Sequence, residues 1–139
     1  MAHLQYTNSP GFGQSLSDST HYSQAVRIGD RIECAGIGGW DSQTGAIPAT
    51  VEAEIGQIFS NIDLNIKTAG GQGWAAVYKV VLYYTGELEE AAFHAFVRNL
   101  RTWCPTHRPL LTGVGVASLG IPGMRFEVEV TAEVAKAQT

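Results

Sequence analysis

The stretch "MRFEVEVT", near the C-terminal end, limits most strongly what this chain can fold into. Apolar and charged side chains alternate through it one by one, which is typical of a β-strand with one buried face. Phe126, Val128 and Val130 then share one face, and Glu127 and Glu129 share the other. The sequence therefore predicts a sheet that is apolar on one side and carries carboxylates on the other.

Four further stretches predict strands. "YSQAVRIG" and "RIECAG" alternate in a similar way, and Gly29 and Asp30 between them suit the two-residue turn of a tight hairpin. "AAVYKVVLYYT" is almost entirely apolar or aromatic, so we expect both of its faces to be covered. "LLTGVGVA" completes the set of strands that precede the C-terminal one.

Two stretches have the helical period instead. From Thr50 onward, apolar residues recur on one helical face until Gly70 and Gly71 stop the helix. A second apolar stripe lies within residues 88–103 and ends before Pro105. The order β-β-α-β-α-β-β predicts an α+β fold whose sheet is covered on one face by two helices.

The length of the chain sets the domain organisation. Its 139 residues suffice for one domain with a hydrophobic core. Residues 1–20 are rich in Ser, Gly and Asn, and we expect them to form an irregular N-terminal arm. The single domain then spans residues 21–134, and a C-terminal tail follows at 135–139.

Charge and hydropathy argue against two classes of partner. The chain has 9 Lys and Arg against 13 Asp and Glu, a formal charge of -4, and no basic cluster interleaved with aromatics. We therefore expect no nucleic-acid partner. No apolar run reaches the roughly 20 residues of a membrane span, and the N-terminus lacks the pattern of a signal peptide. We expect an intracellular, cytoplasmic protein that has no membrane partner and is not secreted.

The motifs that hold cofactors and metals are missing from the sequence. "TAGGQG" follows a helix and acts as a helix stop, and no P-loop Lys follows "AGIGGW", so we expect no nucleotide cofactor. The four histidines have no metal-binding spacing among themselves or with the cysteines, so we expect no metal. Cys34 and Cys104 lack C-x-x-C spacing and are expected to be reduced thiols.

Glu127 is the carboxylate that the pattern singles out. On a packed face near Gly113, desolvation would raise its pKa and let it accept a proton; a solvated strand Glu is the alternative. Tyr22, at the start of the first predicted strand, could offer its hydroxyl to a ligand or only cover the core. Leu111, Gly113 and Gly115 share a strand face, and such apolar surface and bare backbone beside carboxylates indicate a subunit interface.

A series of short motifs resembles the RidA (YjgF) family of reactive imine and enamine deaminases, once labelled as endoribonucleases. The series is "HYSQAVRIGDRIECAG", "DSQTG", "TAGGQGW", "VGVASL" and "MRFEVEV", in that order from about Thr20 to Ala132. The resemblance implies a chorismate-mutase-like α+β fold assembled as a homotrimer. It also implies three ligand clefts, each between neighbouring subunits.

The resemblance assigns residues to the cleft by position. In the family, an aromatic near the first strand, a small residue with a following Gly, and a Glu on the last strand line the cleft. Tyr22, Ala35 with Gly36, and Glu127 match these positions.

Three positions depart from the family pattern. Leu111 takes the place of an Arg that holds the substrate carboxylate, and Gly113 takes the place of a frequent Cys. Glu90 stands where deaminating members tend to carry Asn. Arg108 precedes Leu111 by an odd number of residues, so we expect it to point to the opposite face of the strand. A carboxylate ligand would then face Leu111, Glu90 and Glu127, which selects against it.

The function that these residues predict is a small-molecule enzyme acting on an imine, an enamine or a related carbonyl compound that lacks a carboxylate. Hydrolysis, isomerisation or cyclisation by acid/base catalysis are all compatible, including a role in a specialised biosynthetic pathway. Glu127 would orient or deprotonate water, and the backbone at Thr112 and Gly113 would offer hydrogen bonds. A non-catalytic ligand-binding or chaperone-like trimer is the alternative. An endoribonuclease ranks lower, because the sequence has no basic groove.

Overall fold

The computed structural model describes residues 3–134 and contains one seven-stranded sheet and three α-helices. The strands are β1 (Leu4–Thr7), β2 (Ala25–Ile28), β3 (Arg31–Cys34), β4 (Ile37–Gly38), β5 (Val77–Thr85), β6 (Leu110–Val116) and β7 (Phe126–Glu133). The helices are α1 (Phe12–Thr20), α2 (Val51–Thr68) and α3 (Glu90–Trp103), and a 3₁₀ turn covers Gly73–Ala76. The predicted α+β class, with its five strands and two long helices, is confirmed.

The strand order is β1-β2-β3-β7-β5-β6, with the short β4 also pairing with β7. Neighbouring strands are antiparallel except for β5 and β6, which are parallel. Parallel neighbours need a crossover connection, and α3 provides it. β7 therefore lies at the centre of the sheet, while β6 forms one edge.

The expectation of an irregular arm at residues 1–20 is wrong for the part that the structure describes. β1 extends the sheet by pairing with β2, and α1 follows it. Contacts with the rest of the chain explain this ordered segment. The Phe12 ring lies 5.7 Å from that of Trp40, and the Phe12 amide donates to the Ser42 carbonyl at 2.8 Å. The predicted tail at 135–139 lies outside the described residues.

The apolar stripe of α2 forms the centre of the core. Thr50 caps its N-terminus, because its hydroxyl accepts a hydrogen bond from the Ala53 amide at 3.2 Å. Phe59 is fully buried, and its ring stacks on that of Trp74 at 4.5 Å and meets that of Phe96 at 5.2 Å. The helix thus joins α3 and the sheet in one hydrophobic cluster.

β7 shows the alternation that its sequence predicts. Phe126, Val128 and Val130 are buried beneath the helices, whereas Glu127 and Glu129 are half-buried on the other face. We call the first face the helix side. Strand register places Val80 and Leu82 of β5, and Leu111 and Gly113 of β6, on it.

The other face of the sheet is not covered by helices, and we call it the open face. It carries Glu127 and Glu129 of β7, Val81 and Tyr83 of β5, and Thr112 of β6. Both faces of β5 were expected to be covered, but Val81 and Tyr83 are only half-buried in the single chain. A covering for this face would have to come from another molecule.

Candidate functional site

Glu127 lies against the backbone of Gly36. In the sheet, Glu127 pairs with Gly38 of β4 on one side and with Tyr83 of β5 on the other. A Cβ atom added at Gly36 would lie 2.7 Å from Cδ of Glu127 and still closer to its Oε1. A side chain at residue 36 would displace the carboxyl from this position, so the two residues form one unit of the site.

The surroundings of Glu127 raise its pKa. Burial is the largest cause, because a half-buried carboxylate loses hydration, and the negative charge of Glu129 adds to the shift. Glu129 accepts a hydrogen bond from the Tyr83 hydroxyl at 3.2 Å. A carboxyl with a raised pKa is a stronger base than an ordinary glutamate, which suits proton transfer near neutral pH.

Tyr22 reaches the same region from the end of α1. Its backbone carbonyl accepts a hydrogen bond from the Ser17 hydroxyl at 2.6 Å, and His21 before it has the left-handed φ of 57° that ends the helix. Burial raises the pKa of the Tyr22 hydroxyl, and the negative charge of Glu127 contributes. Tyr22 therefore stays neutral at physiological pH and can donate a hydrogen bond close to Glu127.

Buried asparagines of α2 hold the backbone segments that carry these residues. The Asn61 side-chain amide donates to the carbonyls of Gly38 at 2.9 Å and Trp40 at 2.8 Å. The Asn65 amide donates to the Gln24 carbonyl at 3.2 Å. These hydrogen bonds tie the segments next to Tyr22 and Gly36 to the hydrophobic core, which limits their movement.

A cavity of about 650 Å³ opens beside this unit on the open face. Tyr22 and Ala35 line it together with Tyr6, Glu33 and Glu129, and no Lys or Arg of the described residues does so. Glu127 does not itself line the cavity, but Gly36 follows Ala35 directly, and Glu129 lies on the same face of β7 as Glu127. The cavity is therefore aromatic and negatively charged, and it favours a neutral or cationic ligand over an anion.

Several of these cavity residues were not among the predicted site residues. Glu129 could have been found from the alternation, since it shares a face with Glu127. Tyr6 lies in the segment that was expected to be irregular. Glu33 could be placed only once β3 was known to lie beside β7.

Leu111 and Gly113 lie on the opposite side of the sheet from Glu127. Their register partners on β5 are Val80 and Leu82, which are both buried on the helix side. The expectation that they lie beside the carboxylates is therefore wrong within one chain. The alternation of a strand gives two sets of side chains, and only the pairing with a neighbouring strand decides which set shares a face with Glu127.

Thr112 and Glu90 occupy two further places. Thr112 is on the open face, where its register partner Val81 pairs with Glu129 in turn. Glu90 begins α3 with its side chain 86% exposed, and its carboxylate lies 3.8 Å from Nε2 of His94. One chain thus brings together Tyr22, Ala35, Gly36 and Glu127 but not the whole predicted set.

Arg108 was expected on the opposite face of the strand from Leu111, and this expectation is wrong. β6 begins at Leu110, so Arg108 lies in the preceding loop, where strand alternation does not apply. Arg108 and Leu111 line the same cavity of about 610 Å³, next to the C-terminal end of α3.

The described residues offer neither a metal-binding cluster nor an ionised thiol at the open-face cavity. Within residues 3–134, no cluster of three or more His, Cys, Asp or Glu could hold a metal ion. Cys34 lines the open-face cavity, but burial raises the pKa of its thiol to about 12, so it stays protonated and is a poor nucleophile. None of the helices described is long and apolar enough to cross a membrane.

Comparisons with known proteins agree on one family. Residues 12–134 match the family model described as endoribonuclease L-PSP. Rv2704 of Mycobacterium tuberculosis, a member of the YjgF/YER057c/UK114 family, has a similar structure with a TM-score of 0.75. It is 23% identical in sequence, and the match covers 94% of this chain and 99% of that one.

Two other solved structures are slightly more similar in sequence. The YjgF gene product of E. coli is 26% identical with a TM-score of 0.71, and the match covers 81% of this chain and 87% of that one. RidA from an Antarctic Psychrobacter species is 26% identical with a TM-score of 0.72, and the match covers 81% and 88%. No curated protein matches the sequence significantly.

Proposed function

The chain belongs to the endoribonuclease L-PSP (YjgF/RidA) family, and we propose that it is a small-molecule enzyme acting on an imine, an enamine or a related carbonyl compound. The observation that carries the proposal is the Glu127 carboxyl, which lies over Gly36 and beside Tyr22 with a raised pKa. A base in this setting can transfer protons in a cavity large enough for a small molecule.

Imine hydrolysis would use these groups in a simple sequence. Glu127 takes a proton from water, the water oxygen adds to the carbon of the C=N bond, and the protonated Glu127 returns the proton to the nitrogen. In the resulting carbinolamine, Glu127 takes the hydroxyl proton and passes it to the nitrogen, so that the C–N bond breaks and ammonia and a carbonyl product are released. An enamine would first gain a proton on carbon and lose one from nitrogen to give the imine. The neutral Tyr22 hydroxyl and the backbone at Thr112 and Gly113 would offer hydrogen bonds to the substrate.

The acidic side chains of the open-face cavity and the apolar side chain of Leu111 favour a substrate that lacks a carboxylate. Glu33 and Glu129 would repel an anion in the open-face cavity. Leu111 has no donor with which to hold a carboxylate. The same acid/base chemistry would serve an isomerisation or cyclisation in a specialised biosynthetic pathway. The acidic cavity argues against an endoribonuclease, since its substrate is a polyanion.

We also propose that the cleft is completed in a homotrimer. Within one chain, Glu127 and Leu111 lie on opposite faces of the sheet, so a cleft that contains both needs residues from two chains. The edge strand β6 supports this, because it exposes 68% of Leu110, 41% of Leu111 and 37% of Val114. An apolar edge strand of this kind is suited to burial against a partner.

Replacing Glu127 tests the proposed chemistry. Glu127→Gln keeps the shape of the side chain but removes the base. It should lower kcat/KM for ammonia release from a carboxylate-free imine roughly 100-fold or more. Glu133→Gln is the matched control, because Glu133 lies on the same strand but is exposed. Unchanged turnover in Glu127→Gln would refute the proposal, and binding without turnover in the wild type would favour a non-catalytic binding protein.

A further inference from the structure

Glu127 and Glu129 form a pair of carboxylates on the open face of β7. They are two residues apart in a strand, so their side chains point to the same face and their Cα atoms lie roughly 6.6 Å from each other. Both side chains are half-buried, which removes part of the water that would screen their charges. Each carboxylate therefore makes the ionisation of the other less favourable.

A tyrosine distinguishes the two members of the pair. The hydroxyl of Tyr83 donates a hydrogen bond to Oε1 of Glu129 at 3.2 Å. Tyr83 is the register partner of Glu127, so its side chain begins opposite one carboxylate and reaches the other. Within residues 3–134, no side chain donates a hydrogen bond to the Glu127 carboxyl in the same way. The pair is therefore asymmetric.

The Tyr83 hydroxyl remains a donor throughout the physiological pH range. Burial raises its pKa, and the charge of Glu129, the hydrogen bond to Glu129 and the charge of Glu127 raise it further. A hydrogen bond donated to a carboxylate favours the ionised form of that carboxylate. When the surroundings of two neighbouring carboxyls differ in this way, the two take different roles in proton transfer. Here Glu129 keeps its charge, and Glu127 takes up the proton.

The other charges on the open face do not change this assignment. The remaining titratable side chains around the pair come from four segments and are Tyr6 of β1, His21 and Tyr22 after α1, Glu33 and Cys34 of β3, and Lys79 of β5. Glu33 and Lys79 flank Thr131 on its two sides, roughly 13 Å along β7 from Glu127. Their opposite charges largely offset each other there, which leaves Glu129 as the nearest charge that acts on Glu127.

From this geometry we infer that Glu129, held in place by Tyr83, is a positioning residue for the reaction, and that its fixed negative charge makes Glu127 the group that accepts the proton from water. The inference rests on the proposed function of Glu127. When the proton moves from water to the Glu127 carboxylate, one negative charge of the pair disappears and the repulsion is relieved. Glu129 itself neither gives nor takes a proton in this step.

Carboxyl NMR titration of protein labelled with ¹³C in the glutamate side chains tests the inference without a substrate. The signal that Glu127→Gln removes identifies Glu127. Glu129→Gln should lower the titration midpoint of Glu127 by about one pH unit. Tyr83→Phe should lower it by less, and Glu129→Asp, which keeps the charge, should leave it close to the wild-type value. Glu133→Gln removes an exposed carboxylate of the same strand as the matched control and should not move it.

The pH profile of kcat/KM for ammonia release from benzophenone imine is the second readout. Its acidic limb should move in the same variants, in the same direction as the NMR midpoint. Thermal unfolding of each variant checks that the fold is retained.

The two readouts separate the possible failures. An unchanged midpoint in Glu129→Gln, an equal shift in Glu133→Gln, or a shifted midpoint with an unshifted kinetic limb would overturn the inference and leave the proposed function standing. A shifted midpoint in a wild-type protein that does not convert the imine would refute the proposed function, and with it the role of Glu129 in the reaction.

Discussion

At the scale of single residues, the contact between Glu127 and Gly36 links function to stability. The carboxyl is held against backbone and away from water, next to a second carboxylate at Glu129. Both conditions make its ionised form less favourable in the folded protein than in the unfolded chain. The property that makes Glu127 a useful base is therefore expected to lower the stability of the fold at neutral pH.

The stability that the fold loses when Glu127 ionises depends on pH. The folded state raises the pKa of Glu127 above its ordinary value of 4.5, so the folded protein binds more protons than the unfolded chain between the two values. The stability contributed by the protonated form is complete below about pH 4.5 and is lost as the pH rises through the folded pKa. Glu127→Gln removes this loss.

Chemical denaturation at several pH values measures the effect. At pH 7 we expect Glu127→Gln to have a higher free energy of unfolding than the wild type, and the gain should vanish below about pH 4.5. The exposed Glu133→Gln should show no such gain. A variant that is less stable than the wild type at pH 7 would mean that the ionised carboxyl is not desolvated.

At the scale of secondary-structure elements, Glu54 fixes α2 to the start of β7. Its carboxylate is fully buried and accepts hydrogen bonds from the amides of Arg125 at 2.8 Å and Phe126 at 3.2 Å. It also accepts one from Nε of Arg125 at 2.6 Å. The Arg125 guanidinium continues to the carbonyls of Pro48 at 2.9 Å and Ala49 at 3.3 Å. The network sets the position at which β7 enters the sheet, one residue before Glu127.

Removing the buried charge should destabilise the protein strongly. Glu54→Gln leaves Arg125 without its partner, and we expect a loss of about 3 kcal/mol in the free energy of unfolding. Glu52→Gln is the control on the same helix, because Glu52 is 74% exposed and lies 3.6 Å from Arg98; it should cost less than about 1 kcal/mol. Equal losses in the two variants, measured by denaturant unfolding, would show that the buried network does not hold β7.

The sequence predicted the secondary-structure elements that have clear local patterns and missed α1, which lacks an end signal. The long helices and the hairpin of β2 and β3 have clear periods and end signals, such as Thr50 and the Gly29–Asp30 turn. α1 has no side-chain cap and buries only Gly13 fully, and contacts with Trp40 and Ser42 stabilise it from outside. Local pattern carries no information about such contacts, so this element was missed.

The candidate site was predictable only in part, for a related reason. The resemblance gave Tyr22, Gly36 and Glu127, and the structure brings them together. The face of Leu111 was misjudged because alternation within one strand does not state its register with the next. Arg108 was misplaced because strand alternation was extended across Pro109 into the loop that precedes β6.

At the scale of the whole molecule, the sheet has two cavities of opposite charge. The open-face cavity is lined by Glu33 and Glu129, and the cavity between the C-terminal end of α3 and the start of β6 is lined by Arg101 and Arg108. The open face is uncovered in the single chain, and the exposed apolar strand β6 lies at its edge. Packing of further copies against the open face and β6 would bury this surface and bring Leu111 of one copy towards Glu127 of another.

The central claim is that several chains complete one site, and the molar mass in solution tests it most directly. Light scattering coupled to size-exclusion chromatography should give three times the chain mass of 14.9 kDa. The measurement is made at concentrations where the protein also binds or converts its substrate. A mass of one chain in an active sample would contradict the claim, because Glu127 and Leu111 would then act from opposite faces of the same sheet.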